Sequence, residues 1–197
     1  MPPAVARTRT NNPQAMRGRV LDAAAELFQG RGYHATAMHD IVRAAGVTGG
    51  AMHHHFATKK ALGLAVIDER VADQVYDTWI KPVKAADTAA EGVAEVCAGI
   101  AAGLDGQGSV RGCPLNNLAL ELALGDPDFQ AATAKVFAAW RAALARRFEA
   151  EGRGPGAAAA LATFVVAAYS GAMALAKAEQ SSAPLKVCAG ALEGLLG

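Results

Sequence analysis

Residues 36–56 read TAMHDIVRAAGVTGGAMHHHF, and the fold turns on what this stretch can form. Thr36 is a residue type that caps a helix, and the spacing predicts one over 37–45. Gly46 supplies the positive-φ position that ends it, and Val47 follows as an apolar peg. Thr48 caps a second short helix over 49–55, closing near Phe56. Ala44, Ala45, Gly46 and Val47 put small residues and one plug where two helices meet at a steep angle. That is the helix-turn-helix arrangement, whose second helix enters the major groove of DNA.

Working outward, residues 1–12 are polar, basic and proline-containing, and read as a disordered arm. A helix is predicted from Pro13 to about Gln29, with Val20, Ala23, Ala24, Leu27 and Phe28 as its apolar stripe and Gly30-Arg31-Gly32 as its end. Thr58 caps a longer helix from Lys59 to about Lys81, closed by Pro82. Further helices are predicted over 87–104, 114–124, 127–151, 157–180 and 184–196, with no strands. The expectation is an all-α chain: arm 1–12, DNA-binding domain 13–58, and a ligand-binding and dimerisation domain 59–197.

Composition agrees with close helix packing, since 52% of residues are hydrophobic and only 6% aromatic. The formal net charge is only +1, but it is unevenly placed. Residues 1–60 hold eight Lys/Arg against three acids, a net of +5, which leaves −4 for the remainder. A basic head on an acidic body suits a module that meets phosphates and a body that avoids them. Cys97, Cys113 and Cys188 are odd in number with no CxxC, as for reduced cytosolic thiols. No apolar signal segment is read at the start, so a cytoplasmic location is expected. The apolar run 157–176 is Ala-rich, carries Thr163, Tyr169 and Ser170, and reads as a buried helix with no membrane partner.

The stretch Val20–Ile67 resembles the DNA-binding domain of the tetracycline-repressor (TetR) family of bacterial transcriptional regulators. The pieces GRGYHAT, DIVRAAGV and HHHFATKKAL carry the resemblance in that order and spacing. It implies a double-stranded DNA operator, an all-helical ligand-binding body, about nine helices in all, and a homodimer formed through the last two. It also implies a recognition helix over 49–55, phosphate contacts from Thr36, Thr48, His54 and Lys59, and Arg43 facing DNA. Two positions depart from the pattern: Gly49 stands where the family has a lysine or arginine, and His53 where it has a tyrosine. The Gly49-Gly50 pair lacks a cationic side chain and lets backbone approach DNA closely. His53 still bonds a phosphate. His53, His54 and His55 do not converge on a metal ion, because neighbours on a helix point about 100° apart.

In the body, Gly112, Cys113, Asn117 and Glu121 resemble a G-C-x-x-x-N-x-x-x-E pattern of one group in the family, and Asn116 lies beside them. Asn117 and Glu121 either orient a ligand in an apolar pocket or bond a helix end or neighbouring helix. Cys113, at a helix N-terminus beside Arg111, has a lowered thiol pKa on this reading, which opens a redox- or electrophile-sensing alternative. Tyr76, Trp79, Phe137, Trp140, Tyr169 and Met173 are aromatic or soft side chains that line either core or cavity. No histidine lies beyond residue 55, which leaves the body without the usual general acid–base group and argues against an enzyme. The expected function is a DNA-binding regulator, a repressor by family habit, released by a small and mainly apolar ligand, with no cofactor. A thiol switch or a constitutive DNA-binding protein is the alternative.

Overall fold

The computed structural model describes residues 12–197. The predicted arm lies outside them except for Asn12, whose side chain accepts from Gln14 N at 3.1 Å and Ala15 N at 3.2 Å and so caps the first helix. Nine helices follow, and no strand occurs among the described residues. They are α1 (Pro13–Arg31), α2 (Met38–Ala45), α3 (Gly49–His55), α4 (residues 59–85), α5 (Ala89–Asp105), α6 (Pro114–Leu122), α7 (Pro127–Ala150), α8 (Pro155–Glu179) and α9 (Ala183–Leu196).

Most of the predicted ends are found, and the local chemistry explains them. Thr48 accepts from Ala51 N at 3.2 Å, and Thr58 from Ala61 N at 3.0 Å. Gly46 is left-handed at φ 62°, and its N–H and that of Val47 return to the carbonyls of Arg43 and Val42. That pair of bonds satisfies carbonyls that the end of α2 leaves free. Asp126 caps α7, while Thr88 and Glu91 form a capping box on α5.

Three expectations are corrected. Helix α1 runs through Gly30 to Arg31 and ends only at Gly32, whose φ is 89°. Thr36 caps nothing. Ala37 occupies the cap of α2 without a side-chain bond, and Thr36 is fully buried with its hydroxyl donating to Gly32 O at 2.8 Å. Pro82 does not end α4, which continues to Ala85. The reason is the turn before it: residues 76–80 form a π-helix, so Lys81 N bonds Tyr76 O, and the missing proline N–H falls where the ladder is already offset. A second π turn covers residues 67–71 of the same helix.

The cluster of α1–α3 packs on the front of α4 through Val20, Leu21, Phe28, Ile41, Met52 and Phe56. Arg17 holds Glu69 through two bonds of 2.5 Å, and Arg70 reaches Asp22 at 2.6 Å, so two ion pairs tie α1 to α4. Gly63 marks a close crossing between the head and the body. A Cβ there would lie 2.8 Å from the ring of Tyr33 and 3.0 Å from that of Phe129 on α7. Beyond it, α7 and α8 supply the body's core stripes, Trp140, Leu144 and Phe148 against Val165, Tyr169 and Ala176. Helix α8 is long and apolar enough to cross a membrane, 25 residues with a mean hydropathy of 1.8 in its most apolar window. It packs against both α7 and α9 and keeps one outward face.

Replacing Gly63 by alanine should cost roughly 1 to 3 kcal/mol of stability, as an overpacked site does; denaturant unfolding reads it, and an unchanged midpoint would refute the close crossing. The hydrogen bonds from Arg17 are the largest influence holding the Glu69 carboxyl below its usual range. A carboxyl held low contributes stability above its unfolded-state pKa, and that contribution fades as pH falls through the depressed value. Glu69→Gln should therefore lower the melting temperature at pH 7 and flatten its decline between about pH 5 and pH 3.

Candidate functional site

The helix-turn-helix presents a small, polar and open surface. Thr48, Gly49, Gly50, His53 and His54 are exposed, and no atom lies within 4 Å of where a Cβ would stand on either glycine. Met52 and Phe56 face the other way into the core. The Thr48 oxygen accepts from Ala51 N, which leaves its O–H free to donate outward. Arg43 is exposed and pairs with Asp40 at 2.5 Å. Two predicted phosphate contacts are placed differently. Thr36 is buried, so its hydroxyl does not reach a phosphate. Lys59 folds back over the Tyr33 ring, 4.4 Å from its centroid, and donates to His34 O at 3.3 Å. Partial burial in that position lowers its pKa.

The second feature is a small cavity of about 30 Å³ in the body. Trp79 from α4, Cys113 and Leu115 from the start of α6, Trp140 from α7 and Tyr169 from α8 converge on it. The Tyr169 ring meets both indoles edge to face and the two indoles are tilted against each other, with centroids 4.7 to 5.6 Å apart. Four of the ten residues expected to bind ligand are thus brought together. The other six are not. Tyr76 is half exposed and lines an outer groove with Ile80, Val83 and Arg147. Phe137 stacks on Trp140 from outside, and Met173 is buried elsewhere in α8. Asn116 donates to Ser170 O at 3.3 Å.

Asn117 and Glu121 take the structural role of the two left open. Asn117 donates to Arg111 O at 2.8 Å and accepts from Lys177 at 3.1 Å. Glu121 accepts two backbone N–H groups, from Tyr33 at 2.8 Å and His34 at 2.6 Å, in the loop that feeds α2. Gly32 makes room for it: a Cβ at that position would sit 3.1 Å from the carboxylate. Helix α6 therefore has one end at the cavity and the other on the helix-turn-helix, about 12 Å apart at 1.5 Å per residue. Gln29 bonding Gly112 O, and Arg111 paired with Glu26, add to the same junction.

The expected low pKa of Cys113 is also corrected. Burial raises it, outweighing the backbone N–H groups of Asn116 and Leu115 at the helix start. Arg111 points away to Glu26, so it lends no help. Cys97 is pushed up to about 12 by burial. A thiol held protonated and covered is a poor nucleophile, which removes the support for the thiol-switch alternative.

Comparison with known proteins decides the family. Residues 20–66 match the family described as bacterial regulatory proteins, tetR family. Residues 89–191, more than half of the chain, match the C-terminal domain described as transcriptional regulator LmrA/YxaF-like. The chain belongs to the TetR family of bacterial transcriptional regulators. It is 28% identical over 180 residues to the HTH-type transcriptional regulator YxaF of Bacillus subtilis, covering 88% of this chain and 91% of that protein. It is 27% identical over 183 residues to the HTH-type transcriptional repressor DhaR of a Mycobacterium species, covering 86% of each. A TetR transcriptional regulator from Chloroflexus aurantiacus has the same fold, with a TM-score of 0.79 and 27% identity over 92% of this chain and 94% of that one. The TetR N-terminal match spans α1 to the front of α4, which is the cluster that Arg17 and Arg70 pin together.

Sequence reasoning missed Val71, Gln74, Val75, Thr78, Pro114 and Leu115, which complete the cavity wall. The five from α4, counting Trp79, fall at the i, i+3, i+4, i+7 and i+8 spacing of one helix face, so their common side was legible, whereas the cavity they wall appears only once α6, α7 and α8 close on that face. At pH 8 iodoacetamide should alkylate Cys97 and Cys113 at least about tenfold more slowly in the native TetR-family fold than in unfolded chain. Mass spectrometry of the labelled peptides reads this, and rapid native labelling of Cys113 would restore the sensor alternative.

Proposed function

We propose that this TetR-family chain is a cytoplasmic one-component repressor that binds a pseudo-palindromic operator as a homodimer and lets go when a small, mainly apolar ligand occupies the body. The observation that carries the reading is Glu121, which joins the cavity helix α6 to the loop in front of α2. A ligand larger than the present cavity has to displace the start of α6 or unwind the π turns of α4. Displacement of α6 moves Glu121, and with it the backbone of Tyr33 and His34. The ligand must favour the released geometry by a few kcal/mol to change occupancy usefully.

DNA contact is assigned to the open face of Thr48, Gly49, Gly50, His53 and His54, with Arg43 beside it. Lacking a cation at Gly49, this surface leans on backbone, hydroxyl and imidazole contacts. Dimerisation is assigned to α8 and α9. Phe164, Ala167, Gly171, Ala174, Leu175 and Ala178 recur at helical spacing on the outward face of α8 and are exposed. Val187 and Leu195 are exposed on α9. Leu192 on α9 is buried within the chain and belongs to its own core. An apolar stripe of small residues lets two helices of a partner approach closely, and a two-fold axis there places both heads on one side.

Selection of duplexes from a random pool by the purified protein tests this. An inverted repeat with half-sites about one helical turn apart, roughly 34 Å, is expected; no enrichment would overturn the proposal. Thr48→Ala should weaken binding to the selected site by about tenfold, through a lost cap and a lost phosphate contact.

A further inference from the structure

The cavity holds two hydrogen-bond donors with nothing to donate to. Trp79 and Trp140 are the chain's two tryptophans, they both line this cavity, and they are 2% and 0% exposed. Neither indole Nε1–H has an acceptor among the described residues. Trp79 Nε1 lies close enough to the Tyr169 hydroxyl to influence its titration, yet outside hydrogen-bond geometry. The Tyr169 hydroxyl and the Cys113 thiol lie close enough to influence each other's titration. Around these groups the wall is mainly apolar, from Val71, Val75, Pro114 and Leu115, with Gln74 and Thr78 as its neutral polar members, and no charged side chain lines it.

Buried polar groups are normally paired, and an indole N–H is a donor only. Two unpaired donors on one mainly apolar wall therefore specify what is missing, which is an acceptor. A charged acceptor is disfavoured, because no cation lines the cavity to offset the loss of its water. We infer that the effector of this protein is a neutral apolar molecule carrying a carbonyl oxygen, which takes hydrogen bonds from the indoles of Trp79 and Trp140. A carbonyl oxygen has two lone pairs, so one atom is able to serve both donors. The inference rests on the proposal that the effector occupies this cavity.

The discriminating experiment compares 1-tetralone with tetralin, two bicyclic molecules that differ by one carbonyl oxygen, on the full-length protein. Calorimetry gives their dissociation constants, and nitrogen-15 NMR follows the two indole N–H signals. The ketone should bind at least about tenfold more tightly than the hydrocarbon, the discrimination expected of a site with buried donors to satisfy. It should also move one or both indole protons downfield. Trp140→Phe and Trp79→Phe should retain tetralin binding while shrinking the ketone's advantage. Equal affinities with unmoved indole signals would overturn the carbonyl assignment and leave the cavity as a ligand site. Binding of neither molecule would overturn the cavity reading itself, and the carbonyl with it. The comparison in the unmodified protein decides the matter even where a tryptophan variant does not fold.

Discussion

One carboxylate, that of Glu121, accepts the backbone N–H groups of Tyr33 and His34, 88 and 87 residues away in the chain. These donors sit in the loop between α1 and α2, which has no ladder of its own to satisfy them. A charge-assisted acceptor with two such bonds is among the stronger local constraints available to a loop. The lack of a side chain on Gly32 allows the approach, and Lys59 braces the same loop from the other side through Tyr33 and the His34 carbonyl. This junction and the packing of Tyr33 on Phe129 together hold the helix-turn-helix against the body.

The second constraint is α4, which belongs to both halves. Its front crosses Tyr33 and Phe129 at Gly63, its middle carries the ion pairs to α1 through Glu69 and Arg70, and its second half forms one wall of the aromatic cavity. Two π turns interrupt the regular ladder within that wall, one ending at Val71 and the other holding Thr78 and Trp79. Such turns store a residue more than the α-helix needs and are common where function requires a change of geometry. Cavity, α4 and α6 thus form a closed circuit: whatever enlarges the cavity presses on both helices that reach the DNA-binding surface.

The aromatic cluster has a double character. Tyr169 meets both tryptophans edge to face as core aromatics do, and all three are buried. Their polar atoms distinguish them from packing alone. A purely structural cluster of this size is built more cheaply from phenylalanine and leucine, which leave no indole donor unpaired.

The sequence alone determined what is set within about four residues along the chain. Threonine and asparagine caps at Asn12, Thr48 and Thr58, the left-handed Gly46 and the apolar spacing of α7 are local, so the nine helices and the helix-turn-helix were legible from them. The same holds for the TetR resemblance, whose distinguishing residues are contiguous from Val20 to Ile67. Tertiary structure alone decided which polar side chains are spent inside the protein. Thr36 looked like a cap and became a buried donor, because Gly32 O offered it an acceptor as it was covered. Glu121 looked like a ligand contact and became a clasp on a loop far away in sequence. Cys113 looked activated by its helix and its arginine, until burial reversed the sign. Desolvation and long-range partners carry no period along a chain, and they exist only once the helices have met.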